Sequence, residues 1–425
     1  MFKRLTASFS ASRAGSYQAT AFVVLVGFLA TTLAQPNVLG RIPLQSLLKN
    51  VLHVDRSDNA AFFFWIGAPW YIKPLIGILS DAYPLLGSRR KSYLLIGGLT
   101  AAAAWASLWV TSHNYSTLLI VCMAMNFAIV IASTAIGGYL VEAAQATGRA
   151  GQLTSLRNAG YQSSWLVSGL AGGYLGALAI GWTALTCGSV ALLLAPLAFF
   201  MHEEHRPAPG KRLLNEMGHQ LKAMVQARSL WAVAGVAGLY YLAPGLVTTL
   251  FYLQQNTLHL TTPQQGYLTF CGGIGGVIAA AAYGFFAAGR FKLRTMLVAC
   301  LVTGAAGILL YCFYDSFAKA MAIDGINGFT IGLCEIVLIH VAVRATPAGS
   351  EALGFAVFMA VRNLFMFGSD WLGSTLVDKL HFQLSTLVVA NCVVTLVAAA
   401  LTLLLPAALV DVRDVVSSTA KSSDT

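Results

Sequence analysis

The chain has 425 residues, of which 57% are hydrophobic and 10% charged, against about 25% charged in soluble globular proteins. A water-exposed surface cannot be built from so few charges, and 40 glycines with a mean hydropathy of +0.71 fit helices packed in lipid. The net charge of +10 accompanies no nucleic-acid-binding module and is explained below by the placement of the basic residues.

Apolar runs of about 20 residues, the length that crosses a hydrocarbon core of about 30 Å, occur twelve times. Predicted spans 1 to 6 lie at 18–48, 60–83, 92–112, 115–144, 151–175 and 178–201. Spans 7 to 12 lie at 230–255, 264–289, 295–314, 318–343, 351–376 and 384–410. The expected fold class is an all-α membrane protein, with twelve transmembrane helices in two pseudo-symmetric six-helix bundles. The expected divisions are an N-terminal bundle over 1–201, a cytoplasmic linker over 202–229, a C-terminal bundle over 230–412 and a cytoplasmic tail over 413–425. The first apolar run is too long for a signal-peptide core and is read as span 1.

Of the 26 Lys and Arg residues, 18 fall on the side that carries both termini and four (Lys49, Arg56, Lys319, Lys379) on the other. The positive-inside rule then places both termini in the cytoplasm, in a multi-pass protein of the cell membrane (the inner membrane of a bacterium). The remaining four, Arg41, Lys73, Arg157 and Arg362, lie within spans. The seven cysteines sit inside apolar runs with no CxxC pair, which predicts no metal site. No GxxxxGK[ST] loop is present, so an ATP-driven pump is not expected, and neither is an enzyme or a cofactor.

The halves repeat. Asn50-Val51-Leu52-His53 after span 1 matches Asn256-Thr257-Leu258-His259 after span 7, an offset of 206. Pro36 and Pro244 fall close to that offset, and Arg157-Asn158 in span 5 matches Arg362-Asn363 in span 11 at 205. Proline-interrupted helices at corresponding places in two halves point to a transporter's solute site.

An ionisable group at the bilayer centre costs about 2.5–3.5 kcal/mol, so it faces protein or water. Spans 3, 6, 9 and 12 contain no Asp, Glu, Lys or Arg, whereas spans 1, 2, 4, 5, 10 and 11 carry Arg41, Lys73, Asp81, Glu142, Arg157, Asp324, Glu335, Arg362 and Asp370. The four blank spans are expected to form the lipid-facing ring, and the charged spans to enclose a cavity. Lys73 lies about 12 Å deeper than Asp81 along a helix, where it binds a solute anion or pairs with an acid. Arg362 is expected to bind anion or to pair with Glu335; Arg157 is expected to bind solute or to join a gate with Glu142 and Asp81. Arg41, beyond Pro36 near the outer end of span 1, is expected to bind solute or to lie at the membrane interface. Glu335, Asp324 and Asp370 are the candidates for proton coupling, and Glu351 is expected to cap span 11. Trp70, Tyr240, Tyr241, Phe251 and Tyr252 could stack on a planar solute. The glycines at 272, 273, 275 and 276 are expected to serve helix packing.

At the end of span 2, Gly77-x-x-x-Asp81 and Gly87-Ser88-Arg89-Arg90-Lys91 resemble the loop motif of the major facilitator superfamily, although Ala82 replaces its usual basic residue after Asp81. The run Trp70-Tyr71-Ile72-Lys73-Pro74 through Asp81, with Pro84-Leu85-x-Gly87-x-Arg89-Arg90, resembles the folate-biopterin transporter family. Pro244 with Phe251-Tyr252, and Pro347-x-Gly349-x-Glu351-Ala352 leading to Asn363, extend the resemblance over most of the chain. At one acidic position of that family, five residues before Glu142, this chain has Gly137. The resemblance implies a monomeric secondary transporter for folate, a pterin or another organic anion. It also implies proton symport, solute contacts that include Asn363, and a gate built on Gly77, Asp81, Arg89, Arg90 and Glu142. A carrier or exporter of a different organic anion is the alternative within the class. A non-transporting receptor or scaffold is the alternative outside it, though such a protein has no need of charged cavity groups.

Overall fold

The computed structural model describes residues 2–147, 149–201, 203, 218–219, 222–223, 225–284, 290–347 and 351–411, without the side chains of 2–16, 81, 82, 145, 150, 151, 351, 352 and 355. Most of the expected linker, the tail, the Asp81 carboxylate and the Glu351 cap therefore lie outside the described residues. Among the described residues the chain is nearly all helix, with one isolated bridge between Leu85 and Ser88.

Among the described residues seven helices are each long and apolar enough to cross a membrane: Tyr115–Ala144, Ile180–Phe200, Arg228–Asn256, Thr262–Ala282, Leu293–Phe313, Phe317–Ala345 and Leu384–Leu404. They coincide with spans 4, 6, 7, 8, 9, 10 and 12, which makes this a multi-pass membrane protein. The other predicted spans are helical but depart for identifiable reasons. Span 1 is split into Phe2–Leu33, Arg41–Ser46 and a π-turn at Leu47–Val51. Span 2 is Arg56–Ile66, Ala68–Tyr71 and Lys73–Ala82, with Pro69 and Pro74 in first-turn positions, where a missing N–H breaks no bond. Span 3, Lys91–Ser107, has 17 residues. Spans 5 (Ala150–Gly176) and 11 (Glu351–Leu380) are full length but carry Arg157-Asn158 and Arg362-Asn363.

The internal repeat extends to individual bonds. Leu52 N–H reaches the Leu47 carbonyl at 3.1 Å and Val54 N–H reaches Leu48 at 2.9 Å; their counterparts, Leu258 to Leu253 and Leu260 to Gln254, measure 3.2 and 2.8 Å. Between them His53 and His259 both take the left-handed conformation that ends a helix, with φ of 52° and 50°. The proline breaks are also satisfied from neighbouring helices, by side chains in the first half and by a side chain and a backbone carbonyl in the second. Trp105 Nε1–H donates to the Ala34 carbonyl (2.9 Å) and Ser168 Oγ–H to Val38 (2.8 Å). In the second half Asn391 Nδ2–H donates to the Pro244 carbonyl (2.8 Å), and Gly245 N–H to Ser369 (2.8 Å).

The halves meet chiefly through spans 1, 2 and 5 against 7, 8 and 11, while spans 3, 6, 9 and 12 make their substantial contacts within their own half. This is the ring expected of the blank spans. Spans 7 and 8 also lack charge yet lie at the centre, because span 8 is placed by backbone proximity. A Cβ on Gly173 of span 5 would stand 2.7 Å from the Gly266 Cα of span 8, so only glycine admits this approach. The glycine run of span 8 packs on span 10 in the same way: a Cβ on Gly275 would lie 2.6 Å from the Phe329 amide.

On the face that carries the chain ends, Glu203 beyond span 6 accepts from Ser88 Oγ–H (2.6 Å) and from the backbone N–H groups of Arg89 (2.6 Å), Arg90 (3.1 Å) and Lys91 (3.1 Å). It caps the start of span 3. Burial works against its charge, but the Ser88 hydroxyl and the three amides outweigh this and hold the carboxyl below its ordinary value. A carboxyl so depressed stabilises the fold above its unfolded pKa near 4.5 and loses that contribution as pH falls through the lower folded value. Glu203→Gln should therefore lower the melting temperature at neutral pH, by the equivalent of about 1 kcal/mol for a charge at a helix N-terminus. The deficit should shrink as the buffer is acidified, read in a thermal-unfolding series against pH.

Candidate substrate site

The break in span 2 at Ile72 sets Lys73 at the head of a helix that faces span 4. Lys73 Nζ donates to Ser133 Oγ at 2.9 Å and lies 4.9 Å from the centre of the Trp70 ring. Among the described residues no carboxylate lies within ion-pair distance of it. Trp70 is fixed in turn: its Nε1–H donates to Asn126 Oδ1 (3.2 Å), and Asn126 Nδ2–H donates to the Ile66 carbonyl (2.7 Å) that the helix break leaves over.

Span 5 supplies Arg157, Tyr161 and Trp165, spaced by four and hence on one helix face, with the two rings 6.3 Å apart. Arg157 lies 5.3 Å from the Phe28 ring centre and close enough to Lys73 for mutual repulsion. The opposite wall repeats the arrangement. Arg362 lies 5.5 Å from the Tyr241 ring centre, as Arg157 does over Phe28, and each arginine donates from Nη1 to the asparagine that follows it, at 3.2 Å for Asn158 and 3.0 Å for Asn363. Arg362 also pairs with Glu335 of span 10, and Tyr161 lies within electrostatic range of both. Among the described residues three cations stand against one carboxylate here, beside several aromatic faces. Such an arrangement can hold an anion or zwitterion by charge and a flat ring by stacking.

Arg41, Asp370, Phe251 and Tyr252 are placed elsewhere, in a closure across the face opposite the chain ends, called here the distal face. Arg41 pairs with Asp370 at 3.2 Å, and Asp370 also accepts from Thr248 N–H (2.9 Å) and Thr248 Oγ–H (2.7 Å). Asp370 is thus paired with a cation from the other half. Tyr252 Oη–H donates to the Val54 carbonyl (2.5 Å) and accepts from Asn59 Nδ2–H (3.3 Å), while buried Phe251 packs with Ile42. Lys49 donates to Gln255 (2.9 Å), and Ser57 N–H donates to Asp378 (2.7 Å). These bonds cluster on one face and hold it shut.

Of the residues expected to form the gate, Arg90 and Glu142 meet at 2.9 Å, joining spans 3 and 4, and the guanidinium lies against Gly138, where a Cβ would stand 2.6 Å from Nε. Arg89 contributes its backbone N–H to Glu203. Gly77 leaves room beside Thr134, the nearest atom being 3.7 Å from a Cβ built there. Asp324 sits within the second bundle, accepting from Tyr311 (2.9 Å) and Tyr314 (2.8 Å). Tyr240 packs on Tyr241, with ring centres 5.1 Å apart. Sequence reasoning missed Asn126, Ser133, Tyr161, Trp165 and Glu203. The four-residue spacing of Arg157, Tyr161 and Trp165 was a usable signal; nothing local marks the others.

The chain is 26% identical to a folate-biopterin transporter of Synechocystis sp. over 410 residues, covering 88% of this chain and 80% of the relative. It is 24% identical to probable folate-biopterin transporter 2 of Arabidopsis thaliana, covering 80% and 72%. In fold it is similar to a D-xylose–proton symporter (TM-score 0.65, 15% identity, 91% of this chain and 96% of that one). It is similar also to the nucleoside transporter NupG (TM-score 0.66, 12% identity, 91% and 98%). Both likenesses span nearly the full length of each structure, so the two-bundle transporter architecture read from the sequence is the fold of this chain. The BT1 family model matches residues 36–424, and the chain belongs to the BT1 family.

Proposed function

We propose that the protein is a secondary transporter that moves folate- or pterin-type organic anions by alternating access, coupled to protons, with both termini in the cytoplasm. The observation that carries this reading is Lys73. A lysine embedded among the spans, bonded to a neutral serine and resting on a tryptophan, with no carboxylate partner among the described residues, presents a cationic group that a solute anion can pair with. Arg157 and Arg362 add charge, and Trp70, Tyr161, Trp165 and Tyr241 add faces for a planar ring. The names of the relatives support the solute class. With the termini inside, the bonded distal face is the outer one, so the conformation is closed to the outside. The protein acts as a monomer, in the inner membrane if the cell is bacterial.

Gly137 favours a second reading, an organic anion without a pterin ring. It lies one turn from Ser133 on the same face of span 4, and no atom stands within 4 Å of a Cβ built there, so this wall offers no carboxylate to a pterin edge. Uptake into proteoliposomes under an inward proton gradient separates the two. Accumulation of labelled folate or biopterin supports the first. If no member of a folate and pterin panel moves or raises the melting temperature, while another organic anion does, the second holds.

A further inference from the structure

We infer that Asp324 is the proton-binding carboxylate of the carrier, and that its charge state governs closure of the distal face through a buried hydrogen-bond chain ending at Lys49. The assignment rests on the transporter reading and selects one acid among several. Glu335 pairs with Arg362, Asp370 with Arg41 and Glu142 with Arg90, so protonating any of them strands a cation. Among the described residues Asp324 has only neutral partners. Tyr311 and Tyr314 donate to it from the end of span 9, and Cys271 faces it from span 8. Lys319 and Asp315, nearer the surface, bond each other at 2.6 Å. Asp324 can therefore take a proton from the solution, forming one O–H bond, without leaving an unpaired charge behind.

The chain leading away from it has a direction. Tyr314 Oη donates to Asp324 and accepts from Gln254 Nε2–H (2.8 Å). Gln254 Oε1 accepts from Gln265 Nε2–H (3.0 Å), and Gln265 Oε1 accepts from Gln255 Nε2–H (3.1 Å). Gln255 Oε1 accepts from Lys49 Nζ, which belongs to the other half, and Lys49 and Gln255 occupy equivalent positions in the repeat, 206 residues apart. Gln254, Gln265 and Tyr314 are buried, so water cannot replace a lost partner.

A proton bound on Oδ2, the oxygen that faces Tyr314, makes that oxygen a donor, and the Tyr314 hydroxyl then turns to Gln254 and meets a second donor. Either a bond in the chain is lost, or each amide turns over in sequence until Gln255 presents N–H to the Lys49 ammonium. Both outcomes weaken the contact between the halves. The ionised carboxylate holds the distal face closed, and the protonated acid releases it.

The test is hydrogen–deuterium exchange of residues 47–60 and 252–262 in the full chain embedded in nanodiscs, at pH 8 and pH 5.5, with labelling times scaled to the intrinsic rate. The wild type should exchange faster in both segments at pH 5.5. Asp324→Asn, a neutral donor and acceptor in the acid's place, should exchange fast at both pH values. Tyr314→Phe keeps the carboxylate but cuts the chain, and should lose the pH difference. Retention of the wild-type pH difference by Asp324→Asn, or by Tyr314→Phe if the first variant does not fold, overturns the inference. Because this readout needs no solute, a pH response in a protein that moves no anion keeps the switch and removes the transporter reading; uptake without a pH response does the reverse.

Discussion

Lys73→Ala should cut solute uptake at subsaturating concentration by about tenfold to a hundredfold, measured as the initial rate in proteoliposomes. The charge-assisted bond it removes is worth roughly 1.5–3 kcal/mol, and each 1.4 kcal/mol is a factor of ten. The fold should not suffer with it. Among the described residues Lys73 bonds only Ser133 and the Trp70 face, so its removal strands no buried countercharge there and relieves the cost of a cation among the spans. An unchanged or raised melting temperature with lost uptake is the expected pair of results. A variant with normal uptake removes Lys73 from the solute site. Lys73→Arg keeps the charge but carries a bulkier planar head, and should recover only part of the rate.

Arg362→Ala should behave in the opposite way and destabilise the protein by about 3–5 kcal/mol, because it leaves Glu335 partly buried without its cation. Removing both charges in Arg362→Ala with Glu335→Ala should recover most of that stability, since neither group is then stranded. Uptake should stay low in the double variant if Arg362 also contacts solute. Recovery of uptake together with stability would make the pair a structural bond alone. Thermal unfolding of the three proteins, beside their uptake rates, gives the comparison.

The spans were legible because a run of apolar residues states its own burial, and because lipid allows few ways to satisfy a backbone. Helix breaks at Pro36 and Pro244, and the Asn-x-x-His repeat, were equally local and are seen at the same positions in both halves. Pairing was not legible. Arg41 meets Asp370 across 329 residues, and no spacing rule connects spans 1 and 11, so the sequence does not show that these two charges bond each other at the distal face. The location of Phe251 and Tyr252 is hidden from the sequence for a related reason. An aromatic residue on a central span can face solute or the other bundle, and the turn after Pro244 sends these two to the distal face. The blank-span rule held for spans 3, 6, 9 and 12 but not for spans 7 and 8, where glycine and hydroxyl or amide side chains replace charge at the centre.

The most direct measurement is the melting temperature of the purified protein with organic anions and with neutral analogues of the same ring system, in the wild type and in Lys73→Gln. A cationic solute site predicts stabilisation of the wild type by the anions, little by the neutral analogues, and loss of the anion effect in Lys73→Gln. Equal stabilisation by charged and neutral analogues, or an undiminished anion effect in Lys73→Gln, would contradict it.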